Sequence, residues 1–162
     1  MNSLASSEFA PLKAFLDAQS IVTVSVSGQD GLWSAPVLYA TGSALNLYFL
    51  SAPSSRHTSD CTKARHVSAA VYADYRGRWQ SICGVQMQAS LSPVNEKEIT
   101  AVETLYFRRF PEVKQVIDNP SDEEEKKIGS AFAKSRFYTL TPKQVRFIDN
   151  SRGFASRNDW QF

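Results

Sequence analysis

The ten residues Ser51-Ala52-Pro53-Ser54-Ser55-Arg56-His57-Thr58-Ser59-Asp60 gather five hydroxyls around an arginine and an imidazole, directly after the apolar run Leu47-Tyr48-Phe49-Leu50. At the start of a helix, residues of these types suit a phosphate. The first N–H groups of a helix lack intrahelical partners and carry partial positive charge. Hydroxyl donors and a guanidinium fork can then complete the shell around a dianion. The plainer alternative is that Ser54 or Ser55 caps a helix while Arg56 and His57 face water, since capping serines are common. Sequence position alone leaves both open.

Little else in the chain could run a reaction unaided. No GxSxG, GxGxxG, Walker loop or metal-ligand spacing occurs, and no Ser/His/Asp order stands out. The two cysteines, Cys61 and Cys83, lie outside any CxxC or Cys/His array, which argues against zinc. His66 reads as structural or exposed. Net charge is +2 with scattered basic residues, so there is no footprint for nucleic acid. The N-terminal MNSLASSEFAPLKAFLDAQS has neither a basic leader nor a continuous apolar core, and no apolar run approaches the ~18 residues of a membrane span. The expectation is a cytoplasmic protein without membrane contact. A chain of 162 residues that is 43% hydrophobic is read as one domain, 1–162. That size buries roughly 68–70% of its unfolded surface, enough for a core without metal or disulfide staples.

The elements that must position the cluster follow from periodicity. Ser6 or Ser7 can cap a first helix whose Phe9, Leu12, Phe15 and Leu16 share a face. Ile21 to Ser27 alternates as a strand, Gly28-Gln29-Asp30-Gly31 turns, and Leu32 to Ala40 returns. Pro36 in that return strand removes a ladder donor, so an edge, a bulge or a non-strand neighbour is expected there. Asn46 to Leu50 is a third strand, Ser54 to Ala64 a short helix, and Val67 to Tyr75 a fourth strand. Ser81 to Ser92 is a fifth, with Val85, Met87, Ala89 and Leu91 on one face and Gln86, Gln88 and Ser90 on the other. Asn95 with Glu98 reads as a capping box for a helix with Ile99, Val102, Leu105 and Tyr106 buried; Pro111 discourages its continuation. Ser121 is a candidate cap for a helix opened by the acidic run Asp122 to Glu125. Two β-rich segments, Arg136 to Leu140 and Gln144 to Asp149, precede an aromatic tail. Six to seven short antiparallel strands with appended helices predict a mainly β fold, a small β-barrel.

This order of elements, with Ser55-Arg56-His57 after the third strand, resembles the pyridoxamine 5′-phosphate oxidase-like FMN-binding split-barrel superfamily. There the equivalent segment commonly reads Ser-Arg-Lys and holds the 5′-phosphate of FMN. Further matching pieces are similar to its YhbP-like branch: Leu32-Trp33 with Ala35, Gly84-Val85-Gln86, Arg108-Arg109-Phe110-Pro111, Phe147, Asp149-Asn150 and Gly153-Phe154.

The resemblance implies an FMN-binding split barrel acting as a homodimer, with the cofactor at the subunit interface and a small-molecule substrate or electron donor. It implies that Ser34, Ala35, Pro36, Val37 and Leu38 run beside the flavin ring. Ser51, Ser55, Arg56 and His57 would hold the phosphate, and Gln86 would reach a flavin held mainly by the other subunit. Ser34 stands where oxidases of the superfamily often place an arginine, and His57 where they place a lysine. The tail Ser151 to Arg157 lacks the histidine of true pyridoxamine phosphate oxidases, so vitamin B6 oxidation is not expected. A flavoprotein oxidoreductase of unspecified substrate is the lead expectation. The rivals are a non-enzymatic flavin carrier or sensor, and a split barrel binding haem through His57 or His66. Asp149-Asn150 also suits plain turn chemistry. Phe154, Trp160 and Phe162 could extend the dimer interface or fold back onto their own barrel.

Overall fold

The computed structural model describes residues 8–28, 31–59 and 65–162. Cys61, the candidate caps Ser6 and Ser7, and the turn residues Gln29-Asp30 lie outside the described residues.

Valines at 22, 24 and 26 point to one side of β1 (Ile21–Gly28) and are buried, as strict alternation requires. β2 (Gly31–Thr41) pairs antiparallel with β1 from Gly31 to Leu38 and with β3 (Leu47–Ser51) only from Tyr39 to Thr41. β4 (Arg65–Tyr72) lies on the other side of β1, followed by β5 (Cys83–Pro93), β6 (Arg136–Asp149) and β7 (Arg157–Gln161). The seven strands form one sheet in the order β3-β2-β1-β4-β5-β6-β7, and β3 also pairs with β6, which closes the barrel. The fold is mainly β with helices appended, in the expected class.

The two β-rich segments after residue 135 prove to be one 14-residue strand. Its first part, Arg136 to Leu140, lies between β3 and β5; its second, Gln144 to Ile148, lies between β5 and β7. Pro142 falls at this exchange of partners, beside a register shift opposite Gln88/Ala89, where a missing N–H does least harm.

The barrel is filled by the valines of β1 with Tyr39, Phe49, Val85, Met87, Leu91, Tyr138, Leu140 and Phe147. Leu12 and Leu16 of α1 (Ala10–Ala18) are fully buried in the same core, and Phe15 packs on Phe147 at 5.3 Å between centroids. A nine-residue helix is marginal alone. Two buried leucines, each worth ~1.5–3 kcal/mol, hold it down, and Tyr39 Oη donates to the Leu16 carbonyl at 2.7 Å.

Three further helices cover a second core against the outside of β3 and the start of β6: α2 (Ile99–Arg109), α3 (Pro111–Asp118) and α4 (Glu123–Ala133). The expected capping box at Asn95 does not form. Asn95 Oδ1 accepts from Lys97 N at 3.1 Å in a turn, and the helix begins later, at Ile99. Pro111 ends α2 but opens α3, because proline at the first helical position loses no bond. The cap of α4 is Asp122, whose side chain accepts from Glu125 N at 2.8 Å, while Ser121 N and Oγ donate to Glu125 Oε2. Gly129 lets α4 approach α3 closely: a Cβ there would stand 2.7 Å from the Val116 carbonyl oxygen.

Candidate functional site

β3 ends at Ser51, buried and directed to the barrel side like Leu47 and Phe49 before it. The chain then passes the stretch of β2 that β3 does not pair. Between residues 52 and 59 it forms turns rather than the expected helix, and residues 60–64 lie outside the described residues. The reason is local. Pro53 opens the segment, and the buried Thr58 hydroxyl bonds the Ala52 carbonyl at 2.7 Å, holding the loop as a knot. Thr58 N and Ser59 N both reach the Ser55 carbonyl, at 2.9 and 2.6 Å. Arg65 staples the knot to β1 by donating to Ser59 O at 3.1 Å and Ser27 O at 2.5 Å.

Within this corner Ser51 Oγ and His57 Nε2 are 2.9 Å apart. Burial holds the His57 imidazole below its ordinary 6.5, so it is neutral at pH 7, with its ring 6.3 Å from that of Phe49. The exposed Arg56 guanidinium lies over the Trp33 ring at 4.6 Å, a cation–π contact that brings the loop against β2. Ser55 is half-buried at the turn that closes the knot. Four sequence-predicted residues, Ser51, Ser55, Arg56 and His57, thus share one corner. The donors come from a compact loop, not from a helix N-terminus.

Ser34, Ala35, Pro36, Val37 and Leu38 line the adjoining stretch of β2, which has β1 on one side and no strand on the other among the described residues. Pro36 sits on this one-sided stretch, as an edge position requires. Ala35 and Val37 face the barrel, Pro36 is exposed, and Ser34 Oγ meets Ser25 Oγ at 2.7 Å on the outer face. An edge strand presents unpaired N–H and C=O groups. Here that row ends at a corner bearing hydroxyls, a cation and a neutral imidazole. A flat heterocycle with a phosphate tail matches both parts.

Gln86 is not part of this corner. It projects from the outer face of β5 between Ala70 and Arg146, with β1 and β4 intervening before β2. His66 is exposed on β4 opposite Ser90.

Two residues gain importance only in three dimensions. Trp33 has its weight through Arg56, and Arg136 is the cross-strand neighbour of Ser51. The alternation of β2 placed Trp33 on a strand, but nothing local pairs it with a residue 23 positions on. Of the tail signature, Asp149 accepts from Ser151 N as turn chemistry. Buried Asn150 donates to Trp79 O at 3.2 Å and accepts from Ala155 N at 3.1 Å. Trp160 and Phe162 fold back on α1's entry: Trp160 Nε1 donates to Glu8, and both rings lie near Phe9. Phe154 remains 81% exposed against Trp79.

No protein-family model matches the chain. A UPF0306 protein of Cronobacter sakazakii is 27% identical over 153 residues, 92% of each chain. Among solved structures, a heme-binding protein from Mycobacterium smegmatis aligns with a TM-score of 0.71 at 13% identity, over 99% of this chain and 59% of that one. An FAD-binding protein from Mesorhizobium loti aligns at 0.57 with 14% identity, over 90% of this chain and 92% of that one. At such identities the likeness concerns the fold. With its closed seven-stranded sheet and one-sided β2, the chain has the split-barrel fold.

Proposed function

We propose that the chain binds a flavin, FMN, as an oxidoreductase of the YhbP-like branch acting on a small-molecule substrate or electron donor in the cytoplasm. The observation that carries this reading is the meeting of Ser51, Ser55, Arg56 and His57 beside the unpaired edge of β2. Ser51 and Ser55 supply hydroxyl donors and Arg56 a guanidinium to a phosphate, and the backbone of Ser34 to Leu38 offers polar groups to the ring. A bound flavin brings its own redox chemistry. The residues here therefore bind, orient and shield.

A homodimer completes the proposal. The outer face of β2, β1, β4, β5 and β6 carries two cross-strand rows, Ser34–Ser25–Ser68–Gln88–Gln144 and Pro36–Thr23–Ala70–Gln86–Arg146. The only charge in either row is Arg146, at the β6 end, paired to Asp159 at 2.7 Å. Ile21, Leu32 and Tyr72 stand exposed on the same face. This face is poor in charge at its centre and holds a cavity of about 410 Å³ lined by Ser25, Ser68, Ala70, Gln86 and Gln88, a composition that suits an interface core. Two copies stacked there would bring Gln86 of one subunit toward the β2 edge of the other.

Haem is the second reading, supported by the fold shared with a heme-binding protein and by a half-buried, neutral His57 able to offer a ring nitrogen to iron. Titrating the purified apo-protein with FMN and, separately, with hemin tests both. FMN uptake with a flavin spectrum, abolished by loss of Arg56, supports the proposal. A Soret band lost in His57→Ala, with no FMN uptake, replaces it. NADH or NADPH reduction of bound flavin then separates an enzyme from a carrier or sensor.

A further inference from the structure

Trp33 stands on the barrel-facing side of β2 with Ala35 and Val37, because its partner across to β1 is Val26, buried in the barrel core. It is nevertheless 44% exposed. β3 pairs with β2 only from Tyr39 to Thr41, so Trp33 has no strand on its other side among the described residues. The knot of residues 52–59 is tied to this end of the β1–β2 hairpin at two points. Arg65 bridges Ser59 O to Ser27 O, and Ser27 is the strand partner of Leu32, next to Trp33. Arg56 makes the second tie, with its Cζ 4.6 Å from the centroid of the Trp33 ring.

We infer that Trp33 is the positioning residue for Arg56, and through it sets the preference of the corner for a phosphorylated flavin over an unphosphorylated one. This role rests on the flavin corner proposed above and names what makes that corner selective. A guanidinium meets an aromatic ring with its face and an oxyanion with its edge, so the two contacts do not compete. Resting on Trp33, Arg56 keeps the donors of its plane for a phosphate. An arginine on a loop loses rotamer freedom when it closes on a ligand, and contact with a ring removes part of that freedom beforehand. Ser51 and His57 fix each other at 2.9 Å; Trp33 does the same for the cation. Tryptophan makes the strongest contact of this kind. That gives a large aromatic a reason to stand at a rim where it is only partly buried.

The test is fluorescence titration of FMN and of riboflavin into wild type, Trp33→Phe, Trp33→Leu, Arg56→Ala and the double variant Trp33→Leu/Arg56→Ala. Trp33→Leu should bind FMN roughly 3- to 30-fold more weakly, the range of a cation–π contact from exposed to desolvated. Trp33→Phe should recover part of that loss, and riboflavin affinity should match wild type in every variant. Once Arg56 is gone, removing Trp33 should weaken FMN by less than about twofold, because residues that act as one unit are not additive. Should Trp33→Leu fold poorly, Trp33→Phe decides: FMN affinity between those of wild type and Arg56→Ala, with riboflavin unchanged, supports the role. Wild type that binds FMN while both Trp33 variants bind it equally well overturns the inference and leaves the flavin reading standing. Equal weakening of FMN and riboflavin, or additive losses in the double variant, overturns it too, since Trp33 then acts apart from Arg56. Wild type that takes up neither flavin removes the flavin reading, and the role of Trp33 falls with it.

Discussion

Ser51 and His57 meet at 2.9 Å, so the last residue of β3 and the middle of the following loop are one polar unit. The hydroxyl alone could reach a phosphate. Tied to a half-buried imidazole, it is also fixed in direction, because the His57 ring is wedged near Phe49. A corner held in this geometry by its own bonds has a lower entropic cost of binding.

Arg56→Ala should weaken FMN binding by about 1.5–3 kcal/mol, roughly 10- to 150-fold, through loss of a charge-assisted bond. Riboflavin, which lacks the phosphate, should bind wild type and mutant alike. Fluorescence titration of both flavins measures this. Equal FMN affinity in the two proteins would remove Arg56 from the site.

The pH dependence of stability should carry a His57 signature. Burial lowers its folded-state value below 6.5, so the unfolded chain binds the proton more readily. The contribution of His57 is then complete above pH 6.5 and is lost as pH falls through the lowered folded value. His57→Gln should flatten the decline in Tm between pH 7 and 5 relative to wild type. Parallel curves would assign the acid sensitivity elsewhere.

Ala70→Arg places a charge in the middle of the uncharged outer face, between Thr23 and Gln86. If that face joins two copies, light scattering should show a shift from dimer to monomer while the circular dichroism spectrum holds. FMN affinity should fall at least tenfold with it, although Ala70 is remote from Arg56 in sheet order. A variant with unchanged mass and affinity would place the interface on another surface.

Gly129→Ala should be costly although alanine is the better helix former. Its Cβ would stand 2.7 Å from the Val116 carbonyl oxygen, which is backbone and cannot swing aside. Overpacking of this kind costs about 1–3 kcal/mol, visible as a lower urea midpoint. A stability gain would mean that α3 and α4 slide apart freely.

Most strands were legible because burial on one face writes itself into a period of two: the valines of β1 and the Val85–Leu91 stripe of β5 needed no tertiary information. The phosphate-seeking residue types were legible for a similar reason, since they are consecutive. Helix boundaries were less so. At Pro111, the same proline that stops one helix starts the next, and only the packing of Val113 into the second core shows which role extends the structure.

The amino-acid order by itself determined a mainly antiparallel barrel and a hydroxyl–arginine–histidine cluster at the exit of its third strand. Only tertiary structure decided that the cluster is a loop knot and not a helix start, because the competing bonds of Thr58 depend on how the segment is anchored. It also decided that Arg56 rests on Trp33, that Arg136 stands beside Ser51, and that Arg109 clasps a helix 90 residues away. Those pairings join distant segments through strand register and helix docking, and local periodicity carries no record of which distant partner each residue meets.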